Sequence, residues 1–336
     1  MTILSRRSFL LAGLAGLTLG MKKRERKIMT VNGPIATSQL GTALVHEHFL
    51  VDFIGADKIN SDRWNPDEVV KKVLPFLNEV KQYHVKSIFD CTPDFLGRDV
   101  VLLQMLAKSS GLQIITNTGY YGARENKHLP PWAFTESAAQ LAARWTDEFE
   151  NGIQGTGVKP GFIKIGVDAG EQLSPLHRKL VEAAAITHLK TGLTIFSHTG
   201  PGKTAFQEID IIKASGVRPE AFVWVHAQTE GDKTLHNRAA KMGAWVSLDG
   251  VGWGDFDNYA DSLERLKSAG LLDRVLISHD AGWYKPDEPD AEFKGYTNIF
   301  RELFPRLKKK GFDEKDFNQL LVRNPAEAMG IGIRRG

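Results

Sequence analysis

The chain has 336 residues, of which 42% are hydrophobic and 25% charged, and its mean hydropathy is −0.25. This length allows one large barrel or two modest domains, and this polarity excludes a membrane-embedded helical bundle. The formal net charge is +3, but residues 1–29 carry +6 and leave −3 for the rest, so no nucleic-acid partner is expected.

The first 29 residues have the features of an export leader followed by a basic linker. The segment Ser5-Arg6-Arg7-Ser8-Phe9-Leu10 places an arginine pair before the apolar stretch Phe9–Leu19, as in a twin-arginine export signal of bacteria. The apolar stretch is too short to span a bilayer, so we predict no stable membrane span. We therefore predict a periplasmic protein with its functional domain at 30–336. Translation from Met21 or Met29 would instead give a cytoplasmic protein.

Strand-like and helix-like segments alternate after the turn sequence Val31-Asn32-Gly33-Pro34. The predicted strands are Thr42–Val45, Val85–Phe89, Leu112–Asn117, Gly161–Ile165, Leu193–Phe196, Ala221–Val225, Ala244–Leu248 and Val275–Ser278. The predicted helices are Pro66–Tyr83, Val100–Ser109, Thr135–Asn151, Ser174–Leu189, Thr204–Ser215, Thr229–Met242, Tyr259–Ala269 and Ile299–Lys309. Eight strands with helical crossovers predict an α/β protein, a single-domain TIM (β/α)₈ barrel whose site lies at the C-terminal ends of the strands.

The first predicted strand runs into His46-Glu47-His48. Side chains alternate along a strand, so the two histidines point to one face and Glu47 points to the other. If Leu44 and the histidines face inward, one metal ion receives two imidazoles from a single strand. The alternative is an exposed pair that arose by chance. Glu47 is expected to pack or to orient a neighbour rather than to bind metal.

Lys164 closes the apolar fourth strand, Gly161-Phe162-Ile163-Lys164. A buried ammonium is costly, so such a lysine is usually paired, depressed in pKa or modified. A neutral amine can add carbon dioxide and give a carbamate whose two oxygens bridge two cations. A salt bridge, for example to Asp168, is the alternative.

His198 and His226 follow the fifth and sixth strands, and Asp280 follows the eighth. Two imidazoles from neighbouring strands can hold a second metal, although a single core histidine bonded to backbone is commoner. The Asp280 carboxylate can bind metal and accept a proton from water. His279 should face the opposite way and is expected to be structural. The remaining histidines are expected on the surface, namely His84, His128, His177, His188 and His236.

These side chains predict two cation sites roughly 3.5–4 Å apart that share a water. Imidazole and carboxylate ligands suit Zn²⁺, although cobalt, manganese or iron would also bind.

The ordered set of motifs resembles the phosphotriesterase-related branch of the amidohydrolase superfamily, which includes lactonases, over about residues 30–330. The motifs are Val31-Asn32-Gly33-Pro34-Ile35, Gly41-Thr42-Ala43-Leu44-Val45-His46-Glu47-His48, Asp90 with Gly97-Arg98-Asp99, Thr118-Gly119, Gly155-Thr156-Gly157, Phe162-Ile163-Lys164-Ile165, Ser197-His198-Thr199, Ser278-x-Asp280 and Asn324-Pro325-Ala326. In two places the chain departs from these relatives: Ala227-Gln228-Thr229 follows His226 where they have His-x-x-Asp-Thr, and Gly250 stands where lactonases carry an arginine.

The resemblance implies a role for each site residue. His46, His48 and Asp280 would hold the more buried metal, and His198 and His226 the more exposed one. Carboxylated Lys164 and a hydroxide would bridge the two ions, and Asp280 would relay the proton. Tyr121 would lie near the substrate carbonyl and donate to the developing oxyanion, and Trp283 and Tyr284 would cap the pocket.

The sequence thus predicts a two-metal hydrolase of carboxylic esters or lactones, with slower phosphotriester cleavage as a secondary activity. Its partner is a small-molecule substrate, and because relatives are often dimers a homodimer stays open. One alternative is a mononuclear amidohydrolase or deaminase of the same superfamily, which would not need Lys164. Another is a noncatalytic periplasmic ligand-binding barrel.

Overall fold

The structure is a computed structural model that describes residues 25–336. The arginine pair and the apolar stretch Phe9–Leu19 of the predicted leader lie outside the described residues. Within residues 25–336, none of the helices combines the length and the apolar character that crossing a bilayer requires.

Short strands alternate with helices along the described part of the chain. The strands are β1 Lys27–Thr30, β2 Gly33–Ala36, β3 Thr42–Glu47, β4 Val85–Asp90, β5 Gln113–Ile115, β6 Asn117–Thr118, β7 Phe162–Gly166, β8 Ile195–His198, β9 Phe222–Val225, β10 Trp245–Leu248 and β11 Val275–Ile277. The helices are α1 Pro66–Lys81, α2 Val100–Ser110, α3 Pro131–Thr135, α4 Ala138–Asn151, α5 Pro175–Thr191, α6 Gly202–Ala214, α7 Thr234–Lys241, α8 Phe256–Ser268, α9 Phe304–Lys309, α10 Glu314–Asn318 and α11 Asn324–Met329.

The strands from β3 to β11 form a closed parallel barrel. Strands β3, β4 and β5 pair in that order, and β6 to β11 pair in chain order. Only Thr116 separates β5 from β6, which together make the third strand of the barrel. The last strand meets the first where Asp280 N donates to the His46 carbonyl at 3.0 Å and His48 N donates to the Ala281 carbonyl at 2.8 Å. The prediction of a TIM barrel is confirmed, and helices α3, α10 and α11 are additions that the sequence reading did not include.

Local sequence explains how a helix such as α1 begins and packs. The Asn65 side chain accepts a hydrogen bond from Asp67 N, and Pro66 occupies the first helical position, where a missing N–H costs nothing. The buried residues of α1 recur every three to four positions, so one face of the helix covers the barrel. They are Val69, Val73, Leu77 and Val80.

The antiparallel hairpin β1–β2 closes the N-terminal end of the barrel. Ile28 is fully buried there, in one apolar cluster with Met329 of α11. Strand β1 begins at Lys27, three residues before residue 30, where the sequence predicts that the functional domain starts. A chain that starts at Met29 would lack the buried side chain of Ile28.

Strand β3 contains an irregularity that turns the side chains of His46 and His48 toward the barrel interior. Ala43 and Val45 belong to the apolar cluster inside the barrel, whereas Leu44 packs in the outer cluster beneath the helices. Strict alternation would send His46 outward with Leu44, but the register of β3 against β4 shifts between Leu44 and Glu47. Bulges of this kind re-aim side chains beside active sites. The expectation that Leu44 faces inward is therefore wrong, although both histidines do reach the interior.

Candidate metal centre

The side chains chosen from the sequence surround one cavity at the C-terminal end of the barrel strands. The cavity has a volume of about 80 Å³ and is open on one side. Its wall includes all of the predicted metal ligands and Tyr121, namely His46, His48, Lys164, His198, His226, Asp280 and Tyr121. Strands far apart in the chain thus bring their last residues to one place, as a parallel barrel requires.

His46, His48 and Asp280 form the deeper group of donors. His48 Nε2 lies 3.0 Å from Asp280 Oδ1, and His46 Nε2 lies 3.5 Å from the same oxygen. Burial and the nearby Lys164 lower the pKa of His46 to about 4, so its ring stays neutral and keeps a free lone pair. Burial opposes ionisation of Asp280, but the neighbouring His46 and His48 outweigh it and lower the pKa of Asp280.

Lys164 is 2% exposed and lies among these donors. Its Nζ is 3.5 Å from His46 Nε2, and within residues 25–336 no carboxylate forms an ion pair with it. The salt bridge to Asp168 considered from the sequence is absent from this part of the chain. Asp168 instead accepts hydrogen bonds from the backbone N–H groups of Arg124 and Glu125.

His198 and His226 form a second pair near the cavity mouth. His226 Nε2 lies 2.8 Å from His198 Nδ1, so the two rings present nitrogens to the same point. Burial and the adjacent His226 hold the pKa of His198 well below its usual range. Burial disfavours the charged form of His226 as well, but the neighbouring Asp249 outweighs it and raises the pKa of His226.

Asp249 follows β10, is fully buried, and contacts two of the histidines. Its Oδ1 lies 2.8 Å from His226 Nδ1, and its Oδ2 lies 3.1 Å from His46 Nδ1. His226, which donates from Nδ1 to Asp249, keeps its Nε2 lone pair free for a metal, whereas His46 Nδ1 makes a close contact with Asp249 without hydrogen-bond geometry. Sequence reasoning missed Asp249, and the available signal was a charged residue directly after the strand segment Ala244–Leu248.

Thr92 fixes the ring of His48 in a similar way. The Thr92 hydroxyl donates to the Leu50 carbonyl at 3.1 Å and lies 2.7 Å from His48 Nδ1, which donates to it. This pair leaves His48 Nε2 facing Asp280. The Thr92 hydroxyl therefore orients His48 by a hydrogen bond, whereas the Asp249 carboxylate lies beside His46 as a close charged contact.

Glu47 and His279 form a buried pair behind the cavity wall. Glu47 Oε1 accepts from His279 Nδ1 at 2.7 Å and from the Ser278 hydroxyl at 2.8 Å, and Oε2 accepts from Ala281 N at 3.0 Å. These bonds join the end of β3 to the segment after β11 that carries Asp280. The two residues thus position a donor without lining the cavity, as the alternation of side chains predicted.

Two donors sit on strained backbone. His226 has φ +61° and Asp280 has φ +51°, both in the left-handed region that side chains other than glycine rarely adopt. Next to Asp280, Gly282 has φ +101°, and a Cβ there would lie 1.8 Å from the His48 carbonyl oxygen. Only glycine fits at this position, which lets the segment after β11 pack directly on His48.

Tyr121 lines the same cavity, with its ring 5.0 Å from the His198 ring. Burial raises the pKa of Tyr121, so its hydroxyl remains protonated and able to donate. Trp283 also lines the cavity, as expected, but Tyr284 does not. The Tyr284 backbone pairs with Phe49 and Val51, and its side chain packs in the outer core.

The other histidines differ from their expected surface positions. Only His84 is exposed, and the other four are buried within helices or loops. They are His128, His177, His188 and His236. His188 and His236, for example, bond to the backbone carbonyls of Leu193 and Ala227 at 2.8 and 2.7 Å. These partners are backbone carbonyls only five and nine residues away, and a backbone carbonyl leaves no residue-type signal in the sequence.

The spacing of the donors suits divalent metal ions. Ligand distances of about 2.0–2.2 Å in a tetrahedral site put neighbouring ligand atoms about 3.3–3.6 Å apart. His46 Nε2 lies 3.5 Å from both Asp280 Oδ1 and Lys164 Nζ, within this range. The separations of His48 Nε2 from Asp280 Oδ1 and of His226 Nε2 from His198 Nδ1 are 3.0 and 2.8 Å, so these two pairs would have to move apart by a few tenths of an ångström to hold an ion. Imidazole nitrogens and a carboxylate are also the donor types that zinc prefers. The residues present therefore fit a metal centre.

The two departures from the relatives' motifs, in the segment after His226 and at Gly250, are in contact in the structure. Gln228 donates to Asp249 Oδ1 and accepts from Asp249 N, both at 3.2 Å. A Cβ at position 250 would lie 2.6 Å from Gln228 Nε2 and 2.8 Å from the Tyr259 hydroxyl. Gly250 therefore leaves no space for the arginine of lactonases, because Gln228 and Tyr259 already fill it.

Comparison with known proteins agrees with this geometry. The model of the Phosphotriesterase family matches residues 26–329. A phosphotriesterase homology protein of Escherichia coli is 27% identical over 293 residues, covering 85% of this chain and 97% of that protein. An aryldialkylphosphatase of Saccharolobus solfataricus is 28% identical over 303 residues, covering 87% and 95%. The crystal structure of a lactonase from Listeria monocytogenes superposes with a TM-score of 0.79 at 26% identity, covering 91% of this chain and 99% of the other.

The family match takes in every predicted donor and the whole barrel, and it confirms both the resemblance and the prediction of an ester-cleaving, metal-dependent hydrolase. The chain belongs to the phosphotriesterase family.

Proposed function

We propose that the protein hydrolyses carboxylic esters or lactones at a centre of two divalent metal ions, with phosphotriesters as slower substrates. The observation that carries this proposal is the convergence of two donor groups on one cavity that Lys164 also lines. His46, His48 and Asp280 would hold one ion, and His198 and His226 the other. Zn²⁺ fits the donor types best. Bound there, the ions would polarise the scissile carbonyl and make water acidic enough to ionise near neutral pH.

We propose that Lys164 acts as a carbamate. Its neutral amine would add carbon dioxide to form an N–C bond and release one proton, giving an anion with two oxygens. Burial without a carboxylate partner in the described residues supports this role, because a permanent ammonium would face His46 and the metals with nothing to compensate it. The carbamate would supply a negative charge to the ions that the two donor groups would hold.

Asp280 and Tyr121 would act on the substrate and its proton. The Asp280 carboxylate can accept a proton from water, since His46 and His48 keep it ionised despite its burial. Tyr121 can donate a hydrogen bond to the oxygen on which charge develops, because burial keeps its hydroxyl protonated. Replacing Tyr121 by Phe should lower kcat and leave the metal content unchanged; equal kcat would assign Tyr121 to packing alone.

The deciding experiment is a hydrolysis panel of lactones, aryl esters and phosphotriesters on protein whose metal content has been quantified. We expect close to two metal ions per chain and the highest kcat/KM among lactones and carboxylic esters. One ion per chain with turnover of amides would favour a mononuclear amidohydrolase. Full metal loading without turnover of any substrate would favour a ligand-binding barrel.

We also propose that the protein is exported, on the evidence of Arg6 and Arg7 in the leader. Replacing both arginines by Lys should leave the protein in the cytoplasm in cell fractionation, whereas the unchanged chain should be found in the periplasm. An equal distribution of the two proteins would contradict export by this route.

A further inference from the structure

The loop after β6 adopts an unusual conformation beside the cavity. Arg124, Glu125 and Asn126 have φ values of +62°, +57° and +63°, so three successive side-chain-bearing residues lie in the left-handed region. Each such residue is disfavoured, because its Cβ crowds the backbone carbonyl oxygen. Strain of this kind persists only where the surroundings enforce it, and it concentrates at functional sites.

Two side chains from the next βα unit enforce the conformation. Asp168 uses both carboxylate oxygens, accepting from Arg124 N at 2.7 Å and from Glu125 N at 3.0 Å. His177 Nε2 lies 3.1 Å from the Gly122 carbonyl and 3.0 Å from Asn126 Oδ1. Because Asp168 lies just beyond β7, the loop is fixed relative to the strand that carries Lys164.

This conformation places the Arg124 side chain at the wall of the cavity. Its guanidinium lies 4.3 Å from the centre of the Phe53 ring, and Arg124, Phe53, Tyr121 and Trp283 line the cavity together with the metal donors. Among residues 25–336, no carboxylate lies within ion-pair distance of Arg124. A guanidinium stacked on an aromatic ring keeps its N–H groups free for a planar anion.

A groove next to the cavity contains acidic residues that already form ion pairs. Its lining includes Asp52, Arg124, Lys285, Asp287 and Glu288. Arg63 binds both Asp52 and, at 2.8 Å, Asp287, and Lys285 Nζ lies 3.2 Å from Glu288. The groove and the cavity share Arg124, for which the described residues supply no carboxylate partner. Lys127 also lines the groove without an ion pair among the described residues, but it does not line the cavity, and its Nζ donates to the Phe53 carbonyl at 2.6 Å.

We propose that Arg124 binds an anionic group of the substrate, a carboxylate or a phosphate, and holds it at the cavity mouth while the ester bond reaches the metal donors. The inference rests on the proposed ester or lactone hydrolysis and narrows it to substrates with a negative charge. A guanidinium binds both anions through paired, charge-assisted hydrogen bonds. Arg124 is then a specificity-determining residue, and Asp168 is a positioning residue that acts through the loop.

Three aryl esters test the inference with the metal-loaded enzyme. They are phenyl acetate, which is neutral, 3-carboxyphenyl acetate and 3-phosphonooxyphenyl acetate. We expect kcat/KM to be at least about tenfold higher for one or both anionic esters, as a charge-assisted contact provides. Arg124→Gln should remove that preference, raising KM for the anionic esters at least about tenfold more than KM for phenyl acetate.

Two further variants separate recognition from loop structure. Asp168→Asn should reduce the preference for the anionic ester in the same direction, because it loosens the loop that aims Arg124. Lys285→Gln removes a cation that faces the groove but does not line the cavity, and it should leave all three rates unchanged. A loss in Arg124→Gln that is equal for all three esters, or is reproduced by Lys285→Gln, would overturn the assignment.

Failure of the two proposals can be told apart. Hydrolysis of phenyl acetate without preference for either anion overturns the anion site and leaves ester hydrolysis standing. If no ester is hydrolysed, the proposed function is wrong. The anion site can then still be tested by comparing the affinities of 3-hydroxybenzoate and phenol, measured by tryptophan fluorescence. Tighter binding of 3-hydroxybenzoate that is lost in Arg124→Gln supports it, and equal binding of the two ligands overturns it.

Discussion

The two ends of the barrel interior use the same strands for opposite purposes. On β7, Phe162 packs at the lower end with Ile28 and Met329, and Lys164, two residues later, lies among the polar donors of the upper end. The lower end excludes water and contributes free energy of folding by burying apolar surface. The upper end buries ionisable groups that are costly until they bind a ligand. The role of an inward-facing residue thus depends on its position along the strand. Residues at the lower end stabilise the fold, and residues at the upper end belong to the candidate metal centre.

The largest expected effect at the upper end is that of Lys164→Ala on metal content and activity. We expect metal content and kcat/KM to fall together, the latter by at least about a thousandfold, because several kcal/mol of metal-supplied stabilisation are lost. Stability against urea should change little. A short carboxylic acid should restore part of both properties by supplying the missing bridge, and the exposed Lys190→Ala serves as the control. Full metal content and an undiminished rate would disprove the bridging role.

The matching change at the lower end is Phe162→Ala. Removing a fully buried phenyl ring should lower the free energy of unfolding by about 3–5 kcal/mol, measured by urea denaturation. Metal content per folded chain should stay unchanged, in contrast to Lys164→Ala. Phe134 is 53% exposed, so Phe134→Ala is a control that should have little effect. Loss of metal in the folded Phe162 variant would show that the two ends are not separable.

The sequence predicted the strands and the donors better than it predicted what holds the donors in place. An apolar strand that ends in a polar residue is a local pattern, so His46, His198 and Lys164 were recognised. The bulge that turns Leu44 outward depends on pairing with β4, which no local pattern reports. The role of Asp249 likewise depends on contacts with histidines about 20 and 200 residues away in the chain.

Asp249→Asn tests whether the upper end depends on such orienting contacts. The amide can accept from only one histidine and can donate to the other, so one ring loses its fixed tautomer. We expect metal affinity to fall about 10- to 100-fold, measured by competition with a chelator. Asp273→Asn, on the surface, is the control. Unchanged affinity would mean that packing alone orients His46 and His226.

The smallest expected effect is on the pH dependence of stability, through a histidine remote from the cavity. Burial holds the pKa of His188 at about 4, and the ring lies 2.8 Å from the Leu193 carbonyl and accepts from Arg334 N at 2.9 Å. The unfolded chain, with a histidine pKa near 6.5, binds a proton between pH 6.5 and pH 4 that the folded chain does not. Stability is therefore fully present above pH 6.5 and is lost as pH falls toward 4.

From pH 7 to pH 5, His188 should account for about 1–2 kcal/mol of the lost free energy of unfolding. His188→Gln will be less stable than the unchanged protein at pH 7. Between pH 7 and pH 5, however, its free energy of unfolding should fall by about 1–2 kcal/mol less than that of the unchanged protein. Urea midpoints at both pH values measure the difference, with the exposed His84→Asn as the control. Parallel losses in His188→Gln and the unchanged protein would mean that the buried ring does not resist protonation.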